Sequence, residues 1–134
     1  MRSRYAADRL AVIYARVALG AAFLNGIAER FGWYGKDVGY GNYANFVKYT
    51  GQVNAFMPAW SIPFLAAAAT VAELVLGVLL VAGVWKRPVA LASAALLVMF
   101  GTAMAISFGP WSPLDYSVFS ASAAAFMLAQ EKQS

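Results

Sequence analysis

The chain has 134 residues, of which 62% are hydrophobic and 12% charged, and its net charge is +4. That charged share is about half the usual value for a soluble domain, and so short a chain has too little interior to hide the apolar excess. With neither cysteine nor histidine in the sequence, disulfides, thiolate or imidazole metal sites, iron–sulfur ligation, His-ligated haem and Ser–His–Asp chemistry are excluded. No covalent or metal cofactor is expected.

Lipid is the environment this composition asks for. A helix needs about 20 apolar residues to cross the hydrocarbon core, and apolar runs predict spans over residues 9–30, 61–84, 88–108 and 113–130. The expected fold is an all-α membrane protein, a four-transmembrane-helix bundle in which residues 1–134 form one transmembrane domain.

The first span follows Arg2, Arg4 and Arg9 and is interrupted by Arg16 and Asn25. Arg16 argues against a cleaved signal peptide, because it breaks the apolar h-region. Between spans one and two lies an external segment, Phe31 to Ser61, that opens as a glycine- and aromatic-rich loop. Its second half, Tyr43 to Met57, spaces Phe46, Val47, Tyr49, Val53 and Phe56 as a short amphipathic interfacial helix would. Pro58 and Pro63 then precede span two, which carries one charge, Glu73.

Lys86, Arg87 and Pro88 form a tight basic hairpin into span three, which contains no charge. Span four is short, rich in Ala and Ser, and bounded by Asp115 and Glu131, so it is expected to pack inside the bundle. Small residues recur at every fourth position: Ala18, Ala22 and Gly26; Gly101, Ala105 and Gly109; Ser117, Ala121 and Ala125. Such spacing lets helices approach closely in lipid.

Arg2, Arg4, Arg9, Lys86, Arg87 and Lys132 lie on one side, against Arg30, Lys36 and Lys48 on the other. The positive-inside rule then places both termini in the cytoplasm of a multi-pass protein of the bacterial inner membrane. Trp33, Trp60, Trp85 and Trp111 fall at predicted interfaces, where amphipathic rings settle. The basic residues thus serve topology, and no nucleic-acid partner is expected.

Charge inside a bilayer is costly and usually paired. Measured along the helices at about 1.5 Å per residue, Arg16 and Glu73 come within about 7 Å in depth, so an intramembrane polar pair is expected between them. Such a pair either fixes helix register or lines a pocket for an anionic or quinone-like ligand. A second, outer polar cluster is expected from Glu29, Arg30, Asp115 and Tyr116, with Asp115 at a helix N-terminus favoured by the macrodipole.

Arg16-Val17-Ala18-Leu19-Gly20 with Phe23, Leu24 and Gly26, then Ala72-Glu73-Leu74-Val75-Leu76-Gly77 leading to Lys86-Arg87, and finally Ser112-Pro113-Leu114-Asp115-Tyr116, resemble the DoxX family of small four-helix membrane proteins. Many relatives carry a lysine three residues after the first-helix glycine, where this chain has Glu29 followed by Arg30. The DoxX/DoxD resemblance implies a membrane subunit associated with redox complexes, in some relatives thiosulfate:quinone oxidoreductase, in others a response to oxidative or thiol stress. Three functions follow as expectations: an accessory or structural subunit of a quinone-linked membrane complex, an autonomous quinone-linked oxidoreductase, or a small transporter using Glu73. Quinone is the expected cofactor if there is one, and the expected partners are the bilayer and other membrane proteins.

Overall fold

A computed structural model describes residues 2–131, with side chains from Ala6 onward. Lys132 and the side chains of Arg2 and Arg4, counted above for topology, lie outside the described residues. Glycine and proline divide the rest into six α-helices: α1 (Arg2–Arg30), α2 (Tyr43–Val53), α3 (Ile62–Ala82), α4 (Lys86–Phe108), α5 (Trp111–Asp115) and α6 (Val118–Ala129). A 3₁₀ turn, Ala59–Ser61, leads into α3.

Three helical stretches, Ala6–Arg30, Ala59–Ala82 and Lys86–Phe108, are long and apolar enough to cross a membrane. Their faces are inverted relative to a soluble protein. Helix α3 buries Ala66, Glu73, Gly77 and Leu80, while Phe64, Val71, Leu74, Val75, Val78 and Val81 are exposed. Small and charged residues turn inward and large apolar ones outward, the arrangement that lipid favours. All four tryptophans are exposed.

The last predicted span differs. In place of one helix over 113–130 the chain forms α5, then a break at Ser117, whose φ of 57° is left-handed, and then the 12 residues of α6. Twelve residues rise about 18 Å, less than the roughly 30 Å of a hydrocarbon core. Ser117 therefore does not extend the small-residue face expected of it. The interfacial helix is also shorter than expected: Asn42 caps it, accepting from the Asn45 amide at 2.8 Å, and the Asn54 amide closes it on Thr50.

Two antiparallel pairs organise the bundle, α1 against α3 and α4 against α6. Gly20 and Gly77 let α1 and α3 touch backbone to backbone. A Cβ at Gly20 would lie 2.8 Å from the Gly77 carbonyl oxygen and 2.6 Å from Val81. In the second pair Gly101 receives the Phe119 ring, and the Ser122 hydroxyl donates to the Ala94 carbonyl at 2.8 Å. Leu19, Phe23, Leu80, Val89, Ala94 and Ala125 form the shared core. Helix α2 lies across one end, which we term the loop end, where the Ser107 hydroxyl bonds the Val53 carbonyl. The other end, around Gly83 to Arg87, is the hairpin end.

Candidate functional site at the loop end

Glu73 is buried on the inner face of α3, and it is bonded to Arg30. Arg30 Nη2 donates to Glu73 Oε2 at 2.6 Å, and the residues are 2% and 7% exposed. Among the described residues this is the one salt bridge. The expected Arg16–Glu73 pair is not formed; Arg16 Nε instead donates to the Leu80 carbonyl at 2.8 Å.

The physical reason lies in the direction of the side chains. Cα–Cβ bonds tilt toward a helix's own N-terminus. In the antiparallel pair, Arg30 therefore leans back into the bundle and Glu73 leans toward the loop end, so the two converge. Arg16 leans the opposite way, toward the hairpin. The Gly20–Gly77 contact sets Glu73 level with Leu24, about 9 Å in axial height from Arg30 and about 12 Å from Arg16. The α1 backbone passes close by the meeting point, since a Cβ at Gly26 would lie at an ordinary contact distance of 3.5 Å from both Arg30 Nη2 and Glu73 Oε1.

The arginine is held on three sides. Nη1 donates to the Thr70 hydroxyl at 2.9 Å, and that hydroxyl donates to the Ala66 carbonyl at 2.8 Å. The guanidinium carbon lies 3.7 Å from the centroid of the Phe46 ring, a cation–π contact supplied by α2. Nε is buried without a hydrogen-bond partner. A buried donor left unpaired costs about 1–3 kcal/mol, so it marks a place where an acceptor would be favourable.

Aromatic rings roof this polar core. Tyr40 meets Phe46 edge-on at 5.1 Å and lies 5.5 Å from Tyr49, which in turn lies 6.2 Å from Phe108. Burial, with Tyr49 next in effect, pushes the Tyr40 hydroxyl from 10.0 up to about 12, although Arg30 pulls the other way. Tyr49 is raised as well, mainly by burial and then by Tyr116. The loop carrying Tyr40 turns through Gly41 (φ 79°), where a Cβ would lie 2.3 Å from the Lys36 carbonyl oxygen.

The outer cluster expected from the sequence is divided. Arg30 turns inward, and the Glu29 side chain packs over Gly39. Asp115 is exposed at the C-terminal end of α5, where a helix N-terminus was expected, and forms no ion pair among the described residues. Tyr116 is exposed but close enough to influence Tyr49. Thr70, Tyr40, Phe46 and Tyr49 were missed as site residues. A signal for Thr70 was present, since it precedes Glu73 by three positions on one helical face.

Residues 11–108 match the DoxX family model, a stretch containing α2, α3, α4 and most of the membrane-length part of α1. No curated protein and no solved structure matches the chain. With its lipid-facing helices and buried charge pair, the chain belongs to the DoxX family of membrane proteins.

Proposed function

We propose that this protein is an accessory membrane subunit of a quinone-linked redox complex, with the loop-end core as the place where a quinone headgroup is held. The observation that carries the reading is the unpartnered Nε of Arg30, buried beneath Tyr40 and Phe46. A quinone carbonyl is an acceptor, and Arg30 Nε and the Tyr40 hydroxyl are donors, so the chemistry is matched. Quinone would supply the two-electron chemistry. The chain's own residues would bind and orient the headgroup and exclude water, while Glu73 keeps the guanidinium in place.

In the same reading the chain folds as one transmembrane domain and passes the bilayer four times, with α5 and α6 together making the fourth pass. Both termini and the hairpin face the cytoplasm of a bacterial inner membrane. The bias of basic residues toward the hairpin end supports this orientation. Transport by Glu73 is disfavoured, because a cation-exchanging carboxylate must be free for its substrate and this one is bonded to Arg30.

Gentle purification followed by native mass spectrometry, lipid extraction and an optical spectrum tests the proposal. Retained quinone and a co-purifying redox partner are expected, with retention weakened by Tyr40→Phe and by Glu73→Gln. Quinone reduction by the isolated chain would instead favour an autonomous oxidoreductase. Glu73-dependent cation uptake into vesicles, with neither quinone nor partner found, would overturn the proposal in favour of transport.

A further inference from the structure

The hairpin end holds a cavity of about 180 Å³ that the loop-end site does not use. Its wall is built from four helices or their ends: Arg9 and Arg16 of α1, Gly83 after α3, Lys86 and Val89 of α4, and Leu128 of α6, with Glu131 beyond it. Three cations against one carboxylate leave the wall with a net charge of +2. The remaining lining is aliphatic, from Val12, Ile13, Leu79 and Leu80 among others.

One of the cations is set in place. Arg16 Nε is bonded to the Leu80 carbonyl at 2.8 Å, and its terminal nitrogens lie over Gly83, where a Cβ would come within 3.1 Å of both. Gly83, at φ 76°, leaves the room that this guanidinium occupies. Lys86 opens α4, whose first turn has no side-chain cap, so the positive end of the helix dipole adds to the charge there. Opposite it, Arg87 Nη1 donates to the Ala129 carbonyl at 2.8 Å, which neutralises the C-terminal end of α6. The Leu80 and Ala129 carbonyls, which would otherwise face an anion at this end, are thereby occupied.

We infer that this cavity binds the phosphate of an anionic phospholipid. Cationic side chains recognise the phosphodiester, and the aliphatic lining accepts the glycerol and the first acyl carbons. The neighbouring Leu10, Ile13 and Tyr14 are exposed on α1, so the cavity lies beside a lipid-facing surface. A soluble phosphate would satisfy the cations and leave the aliphatic lining unused. The inference is independent of the quinone reading, which concerns the opposite end of the bundle.

The test uses the full chain in phosphatidylcholine nanodiscs, with and without phosphatidylglycerol, and native mass spectrometry of the lipid retained on release. Phosphatidylglycerol should be retained selectively, and Arg9→Gln with Lys86→Gln should weaken it by about fivefold for each cation removed, the usual effect of one basic residue near an anionic surface. Lys36→Gln with Lys48→Gln removes equal charge from the loop end and should leave retention unchanged. Arg16 is spared because its bond to Leu80 is part of the fold. Inorganic phosphate that stabilises the wild-type chain but not the Arg9/Lys86 variant, without selective lipid retention, would keep the cavity as a phosphate site and assign it to a soluble source. Equal retention of both lipids with no effect of phosphate, or equal loss in the two double variants, would overturn the inference.

Discussion

At each end of the α1–α3 pair an arginine of α1 reaches onto α3, and the two do different physical work. Arg30 meets a carboxylate in a site closed by Thr70, Phe46 and the aromatic roof. Arg16 meets only a backbone carbonyl, beside an open cavity at the hairpin. The first is a charge pair withdrawn from lipid and water, whose members are each costly without the other. The second is a cation satisfying the end of a helix, where water and headgroups are close at hand. One type of side chain thus serves as a buried counter-charge at one end and as a cap at the other.

The largest difference should come from breaking the buried pair. Arg30→Leu and Glu73→Leu should each cost about 3–5 kcal/mol by leaving a buried charge alone, whereas the double variant should recover much of the loss. Melting in detergent across the four proteins reads this, and strictly additive losses would rule out the coupling. The glycine contact that sets the register comes next. Gly20→Ala forces a methyl against the Gly77 carbonyl oxygen and Val81, and overpacking of this kind costs about 1–3 kcal/mol. A melting temperature unchanged by Gly20→Ala would show that α1 and α3 are not held so closely.

Arg16→Gln should cost less, about 1 kcal/mol, because it removes one hydrogen bond to a carbonyl and leaves no buried counter-charge behind. A loss as large as that of Arg30→Leu would erase the contrast between the ends. The last effect, absent at neutral pH, is one of alkaline titration. Tyr40 holds its proton to about 12 in the folded chain against 10.0 for an unperturbed tyrosine. Between those values the unfolded chain has lost a proton that the folded chain keeps, so this contribution is constant below pH 10 and declines toward pH 12. Tyr40→Phe should remove that part of the alkaline decline, as followed by thermal melts at successive pH values.

The lipid-facing character of the fold was legible in the residues. Apolar runs with at most a single internal charge, glycines and prolines at their ends, and tryptophans at the borders carry enough physics to locate three long helices. Glu73 and its need for a partner were legible too, but the choice of partner was not. Depth measured along the axis made Arg16 and Glu73 near neighbours, whereas the tilt of Cβ toward each helix's N-terminus turns them apart and turns Arg30 and Glu73 together. Gly20 and Gly77 contained the register, yet their contact becomes informative only once α1 and α3 are known to be a pair. Ser117 gave no warning of its break, since nothing in its type demands a left-handed conformation. The roof was hidden for another reason: Tyr40, Phe46 and Tyr49 come together through the fold of the loop onto α2, which no local periodicity describes.

The partners of the buried pair are 43 residues apart in the chain, with the arginine first. On a nascent polypeptide this order means that Arg30 has already emerged when α3, carrying Glu73, reaches the bilayer. The acid can enter lipid beside a waiting counter-ion instead of as a lone charge or as a protonated group that must later ionise. Pairing between the first two long apolar helices, with both partners inside the matched 11–108 stretch, thus puts the counter-ion ahead of the acid in the order of synthesis.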